Sequence, residues 1–159
     1  MVSEHRAVAP LRAFLVLLFG ILVVFQTVSL PGQFAHMAEE APDLAYLRWP
    51  LTAVTVFWVL CVQVVIVSTW KLLALVENDR IFSEASLAWV DAIVWAIVAS
   101  GVVLFGVDLY VALNADNPGA PLLLLLVSIG VAVLALLMVV MRALLRQATT
   151  LRTDMEVVI

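Results

Sequence analysis

Four long apolar stretches dominate this sequence and limit what the chain can fold into. They run over about residues 11–30, 51–76, 87–113 and 121–145. Each has about the 20 residues that an α-helix needs to cross roughly 30 Å of hydrocarbon. Backbone groups in lipid must be hydrogen-bonded within their own segment, and the stretches lack the alternation typical of a membrane barrel. The sequence therefore predicts an all-α, polytopic membrane protein with four transmembrane helices that form a bundle.

The amino-acid composition excludes a soluble globular domain. Of the 159 residues, 65% are hydrophobic and 13% are charged, whereas soluble domains average about 45–50% apolar and about 25% charged residues. A small soluble domain could not cover this much apolar surface, so the expected surroundings are a lipid bilayer. The net charge of −4 argues against direct nucleic-acid binding. The single cysteine, Cys61, excludes an intramolecular disulfide and a cysteine-based metal site.

Turn-forming residues separate the stretches. They are Pro31-Gly32, Pro50 and Asn117-Pro118-Gly119. A polar segment, residues 77–86, joins the second and third stretches, and Ser83 is placed to cap the helix that follows. We expect one domain over residues 1–159, with a short cytoplasmic tail at 146–159. The first stretch is longer than the core of a cleaved signal peptide, so we expect it to remain as a span.

The distribution of basic residues predicts the orientation of the chain. With the N-terminus in the cytoplasm, seven of the eight Lys and Arg residues lie on the cytoplasmic side, and only Arg48 lies outside. Inversion would reverse this ratio, against the usual excess of basic residues in cytoplasmic loops. We therefore predict that both termini and residues 77–86 are cytoplasmic (N-in/C-in).

Ionisable side chains within the apolar stretches are the first candidates for a function. Asp91 and Asp108 are 17 residues apart, which places them about 25 Å apart along one helix and excludes a shared carboxylate site. We predict that Lys71 pairs with Asp91 and that Arg48 pairs with Asp108, because an ion pair offsets the cost of an isolated charge in lipid. An ion or proton pathway through these residues is the alternative.

Polar and small residues in the middle of the second and third stretches suggest helix contacts. Gln63 and Ser100 fall at matching depth and are expected to hydrogen-bond to each other, with a polar transport path as the alternative. Gly101 and Gly106 are expected to permit close helix approach. Cys61 lies within the second stretch and is interpreted as a core residue.

A histidine and two acids, His36, Glu39 and Glu40, share one helical face after the first stretch. Such a set can bind zinc or sense pH, but no further nitrogen ligand is near, because His5 is predicted across the membrane. A short interfacial helix is the favoured interpretation, and metal binding stays open. The sequence contains no phosphate-loop, dinucleotide, zincin or nucleophile-elbow motif, so we expect neither an enzyme nor a bound cofactor.

The end of the chain and the 77–86 segment are predicted to form the most individual surface. Leu144, Leu145, Ala148 and Leu151 fall on one stripe. One interpretation is a helix end that lies against the membrane. The other is a docking site for a soluble partner, with residues 156–159 added as an edge strand. The candidate partner-binding residues are Phe82, Ser83, Leu151, Asp154, Glu156 and Ile159.

Three segments carry a family resemblance. They read PDLAYLRWP at 42–50, KLLALVENDRIFSEAS at 71–86 and ALLRQATTLRTDMEVVI at 143–159. Together they resemble the YoaS-like family of small bacterial membrane proteins, domain-of-unknown-function family 2975. Members commonly end with a Glu-Asn-Asp-like step, whereas Asp154-Met155-Glu156 here retains the acidity and lacks the amide.

The resemblance implies a multi-pass protein of the bacterial inner membrane with no established catalytic residues. Genes of the family often neighbour small helix-turn-helix regulators, which implies a membrane partner for a DNA-binding protein. We therefore expect an interaction or signalling protein that recruits a cytoplasmic partner. A small homo-oligomeric transporter or channel and an accessory subunit of a larger membrane complex are the alternatives.

Overall fold

The computed structural model describes residues 2–158, and it describes the side chains of residues 6–158. All regular elements in this part of the chain are helical. Four helical segments are long and apolar enough to cross a membrane, which confirms the predicted all-α class and the four candidate spans. These segments are Arg6–Glu40, Pro42–Glu77, Glu84–Asn114 and Gly119–Val158.

Five α-helices make up most of the described chain. They are α1 (Val2–Val24), α2 (Leu30–Glu40), α3 (Arg48–Glu77), α4 (Glu84–Asn114) and α5 (Gly119–Val158). A π turn, Phe25–Ser29, links α1 to α2, and a 3-10 segment, Pro42–Leu47, leads into α3. The chain divides into two compact units between Trp70 and Lys71. A single functional domain over the whole chain stays a prediction.

The first helical segment continues past its predicted end at residue 30. The backbone widens into the π turn, and Pro31 lies in the first turn of α2. Proline has no amide hydrogen, and its ring clashes with the carbonyl four residues earlier in a regular helix, so a π turn is a common way to accommodate it. The hydroxyl of Thr27 donates to the carbonyl oxygen of Val23 at 2.8 Å. Helix α2 then continues to Glu40.

The connection between α3 and α4 is a tight turn. The amide of Arg80 donates to the carbonyl oxygen of Leu75 at 2.8 Å, and Asp79 adopts φ 53°. Ser83 has extended backbone at the N-cap position, where its carbonyl accepts the amide of Ser86 at 3.1 Å. The Ser83 hydroxyl donates to the carbonyl oxygen of Arg80 at 2.7 Å. Ser83 thus holds the predicted cap position, but its side chain closes the preceding turn instead of capping α4.

Helices α4 and α5 form an antiparallel hairpin joined by residues 115–118. A Cβ atom at Gly101 would lie 3.2 Å from Cγ1 of Val131, so this glycine does permit close approach of the two helices. A Cβ atom at Gly106 would meet nothing within 4 Å. The close contact is therefore made at Gly101 alone of these two glycines.

Helix α5 is a single helix of 40 residues, about 60 Å long. It includes the segment predicted as a tail, and the edge strand predicted for residues 156–159 is wrong, because Glu156–Val158 are helical. Hydroxyls of Thr149 and Thr153 bond to carbonyl oxygens four residues earlier, and Arg152 pairs with Glu156 one turn on. Such local bonds fit a continuous helix. Ile159 lies outside the described residues.

Candidate functional site

Asp91 on α4 forms a two-pronged ion pair with Arg142 on α5. The Arg142 Nε donates to Oδ1 of Asp91, and Nη2 donates to Oδ2 at 3.0 Å. A guanidinium offers two parallel donors that match a carboxylate, which makes this geometry strong and specific. About a third of each side chain is exposed. The predicted pair of Lys71 with Asp91 is therefore corrected, and Lys71 itself is exposed.

The pairing of Asp91 with Arg142 could have been predicted from the distance of each residue to the α4–α5 connection. Asp91 precedes the 115–118 connection by 24 residues, and Arg142 follows it by 24 residues. In an antiparallel hairpin, residues equally far from the connection face each other at one depth. Counting from the 77–86 segment alone gave Lys71 a comparable depth, and arginine is the better partner because its planar fork binds both carboxylate oxygens.

Asp108, the second acid of α4, has a different environment. It is only 6% exposed. No described residue of the unit that begins at Lys71 forms a hydrogen bond or ion pair with it. Asp108 lines an open cleft of about 520 Å³ at the α4–α5 connection, which we call the Asp108 cleft. Its other lining residues include Phe105, Leu109, Ala112, Asp116, Asn117, Leu122 and Leu125.

Two predicted pairs join residues of different compact units and stay predictions. The Arg48 guanidinium lies over the Trp49 ring, 5.1 Å from its centroid, and the pair of Arg48 with Asp108 is untested. Gln63 is buried on α3 at 9% exposure. The Ser100 hydroxyl donates to the carbonyl oxygen of Ile97 at 2.8 Å. The structure therefore gives the surroundings of each of these residues only within its own compact unit.

The histidine and acid set lies on α2, in helical structure as expected. His36 Nε2 is 3.1 Å from Oε1 of Glu40, and both side chains are about 70% exposed. Within residues 6–158, no group of three or more His, Cys, Asp or Glu side chains could hold a metal ion together. The observed arrangement is an exposed i,i+4 pair, which fits a helix surface.

Arg152 joins the end of α5 to the turn before α4. Its Nη2 lies 3.8 Å from Oδ2 of Asp79, and its Nε lies 3.6 Å from Oε1 of Glu156. Its guanidinium carbon lies 5.6 Å from the centroid of the Phe82 ring, within cation–π range. Phe82 therefore lies beside the end of α5, as the predicted shared surface requires, and Arg152 is the residue that links them.

An exposed apolar stripe runs along the same end of α5. Leu144, Leu151, Met155 and Val158 are 54%, 64%, 65% and 86% exposed. Their spacings of seven, four and three residues place them on one face of a helix. We call these four residues the C-terminal stripe. The predicted stripe ended at Leu151, so Met155 and Val158 extend it by two further residues.

The remaining predicted residues surround this stripe. Asp154 and Glu156 are both exposed on α5. Asp154 lies beside the stripe, whereas Glu156 lies farther around the helix and pairs with Arg152. Ile159 is the one predicted partner-binding residue that lies outside the described part of the chain. The surface thus combines an apolar seam with charges of both signs, which is a composition typical of helix recognition.

Comparison with known proteins gives a family assignment. The profile of the DUF2975 family, described as a protein of unknown function, matches residues 32–159. No curated protein and no solved structure matches the chain. The family match begins within α2 and extends through α5. Because the match covers well over half of the sequence, the chain belongs to the DUF2975 family.

Proposed function

We propose that this DUF2975 protein is a membrane interaction protein that recruits a cytoplasmic protein through the C-terminal stripe and Phe82. The observation that carries the proposal is the contact of Arg152 with both Asp79 and Phe82, which joins the turn and the end of α5 into one surface. The proposal includes both termini in the cytoplasm of a bacterium and a place among the YoaS-like proteins. It assigns the protein no reaction.

The length of α5 supports a surface beyond the membrane. Residues 119–141 contain no ionisable side chain and suffice to cross the hydrocarbon layer. Residues 142–158 add 17 helical residues, about 25 Å of helix, with three arginines and two acids. Charged groups are costly at depth in a bilayer, so this part of α5 is expected in or beyond the headgroup region.

The chemistry of the surface suggests the type of partner. An apolar stripe with helical spacing binds the apolar face of another helix, which buries both stripes from water. Arg152, which pairs with Glu156, lies on one side of the stripe and Asp154 lies on the other, and these charges can select the partner and its orientation. An amphipathic helix of a soluble protein, such as a small helix-turn-helix regulator, satisfies these requirements.

The alternatives find less support in the described residues. A transport path needs polar groups along the membrane interior. In α5 the 23 residues from 119 to 141 offer Ser128 as their one polar side chain. An accessory subunit would contact its complex within the membrane, and photo-crosslinking can distinguish such contacts from binding at a cytoplasmic surface.

Site-specific photo-crosslinking in intact bacterial cells tests the proposal. The photoreactive residue p-benzoylphenylalanine is placed in the full chain at Met155, on the stripe. The matched control places it at Val157, which is 82% exposed on the same helical turn and faces away from the stripe. We expect an adduct with one soluble protein from position 155 and at least about fivefold less from 157, because only the stripe buries the partner.

Each outcome of this experiment bears on the function. Loss of the soluble adduct on adding Arg152→Ala would support the joined surface. Equal adducts from both positions, or none from 155, would refute the proposed docking. An adduct of twice the chain mass would favour a homo-oligomer, and adducts with integral membrane proteins would favour the accessory subunit.

A further inference from the structure

Asp108 is a buried carboxylate without a counter-ion in its own compact unit. It is 6% exposed, six residues before the end of α4, about 9 Å along the axis. The facing segment of α5, residues 119–141, contains no ionisable side chain. A carboxylate removed from water requires a cation or several hydrogen-bond donors to offset its lost hydration. Asp108 therefore has a requirement that its own compact unit does not meet.

The Asp108 cleft has the size and lining of a small-molecule site. Its volume of about 520 Å³ lies within the range of about 300–1,000 Å³ that is usual for ligand pockets. Asp108 and Asp116 supply carboxylates, and no Lys, Arg or His lines the cleft. The amide oxygen of Asn117 accepts the backbone amide of Gly119 at 3.0 Å. The polar part of the cleft is thus acidic.

The rest of the lining is apolar, and this defines the class of ligand. Phe105, Leu109 and Leu122 present hydrocarbon and an aromatic ring beside the acids. A hydrated divalent ion prefers several oxygen ligands around it, and no set of three acids converges within residues 6–158. A cation with an attached apolar group suits both parts of the lining, since its charge can meet Asp108 while its hydrocarbon meets the leucines.

We propose that the Asp108 cleft binds an organic cation, a primary ammonium group on an apolar body, with Asp108 as its counter-ion. The ammonium donates hydrogen bonds to the Asp108 carboxylate, and the apolar body packs between α4 and α5 near Phe105. Two sources can supply a primary ammonium: the headgroup of a phosphatidylethanolamine lipid, whose hydrocarbon lies beyond its phosphate, and a free alkylamine. The site is independent of the C-terminal stripe and of the proposed function.

Titration calorimetry with hexylamine tests the site. The full chain is purified in dodecyl maltoside, an uncharged and amine-free detergent, and heats from empty micelles are subtracted. We expect saturable binding of one hexylamine, and no binding of hexanol, which has the same chain length without the charge. The substitution Asp108→Asn should weaken hexylamine binding about tenfold or more. Asp43→Asn, which removes an exposed acid elsewhere, should leave it unchanged.

A second variant keeps the carboxylate and fills the cleft. Ala112 is exposed and lines the cleft, so Ala112→Phe should reduce hexylamine binding although Asp108 remains. Absence of binding to the wild-type chain, or equal binding to wild type and Asp108→Asn, would overturn the proposal. It would also be overturned if Arg48→Gln bound hexylamine and wild type did not, because Arg48 would then be the counter-ion of Asp108.

The same titration distinguishes the two sources of the amine. If the natural ligand is a lipid, phosphatidylethanolamine added to the micelles should compete with hexylamine and raise its apparent Kd, whereas phosphatidylglycerol should not. If the natural ligand is a free amine, neither lipid should change the Kd. Both results support an ammonium site, and competition by phosphatidylglycerol alone would count against it.

Discussion

The two aspartates of α4 have the same chemistry and opposite surroundings. Asp91 meets the guanidinium of Arg142 on the neighbouring helix. Asp108 lies more deeply buried, at 6% exposure, beside a part of α5 that carries no charge. Within the compact unit that holds both aspartates, α5 provides a cation opposite Asp91 and no ionisable side chain between residues 119 and 141. The neighbouring helix thus decides whether an acid of α4 has a counter-ion within its own compact unit.

The largest effect on stability is expected when the partner of Asp91 is removed. Arg142→Met should lower the melting temperature of the chain in detergent by roughly 5 °C or more, because it leaves a carboxylate without its counter-ion. Adding Asp91→Leu should recover at least half of that loss, since the pair is then replaced by apolar side chains. Circular dichroism during a thermal ramp provides the measurement.

Lys71→Met serves as the control for this cycle. Lys71 is exposed and is not the partner of Asp91 in the structure, so its loss should change the melting temperature by about 1 °C or less. If Lys71→Met is as destabilising as Arg142→Met, or if the double variant equals the sum of its single changes, the assigned pair is incorrect.

Neutralising the two aspartates should change the melting temperature in opposite directions. Asp91→Asn should lower the melting temperature by a few degrees, since it weakens a charge-assisted interaction. Asp108→Asn, measured without any amine, should raise it by roughly 2–4 °C because it removes a buried charge that lacks a partner in its unit. A fall at both positions would show that Asp108 has an internal counter-ion.

The smallest expected change in melting temperature concerns the contact of Gly101 on α4 with Val131 on α5. Gly101 lies between Asp91 and Asp108 along α4. Gly101→Ala places a methyl group 3.2 Å from Val131, whereas Gly106→Ala meets nothing within 4 Å. We expect Gly106→Ala to melt about 1–2 °C above Gly101→Ala, because both gain helix propensity and only one strains the packing. Equal melting temperatures would show that the Val131 side chain moves aside for the methyl group and that Gly101 is not required for the approach of α4 and α5.

The helices could be predicted from the sequence because lipid imposes a simple requirement on length and polarity. Each apolar stretch had to be a helix of at least about 20 residues, and the four candidate spans contain the four predicted stretches. The helix ends were less predictable. Pro31 normally ends or kinks a helix, but a π turn accommodates it, and α5 continues through the segment predicted as a tail as far as Val158.

The residues of the candidate sites could be predicted from the sequence, whereas the residues that they contact could not. Asp91, Asp108 and Phe82 were identified because charged or aromatic groups at those positions are unusual and have a cost or a use. Their neighbours depend on which helices pack together, and periodicity within a helix does not contain that information. Arg142 became identifiable only when positions were counted from the α4–α5 connection, and the Asp108 cleft depends on the path of residues 115–118.

The π turn at Phe25–Ser29 has a consequence for how the first segment is compared with other sequences. A π turn holds one residue more than an α turn, so every position after it is rotated by about 100° relative to a regular continuation. One helical wheel cannot describe both α1 and α2, and the family match begins at residue 32, just beyond this change of phase. Deleting one residue from Phe25–Ser29 would return both helices to one phase and bring the ring of Pro31 back against a carbonyl. An alignment across this turn therefore needs a one-residue gap wherever the other chain has a regular helix.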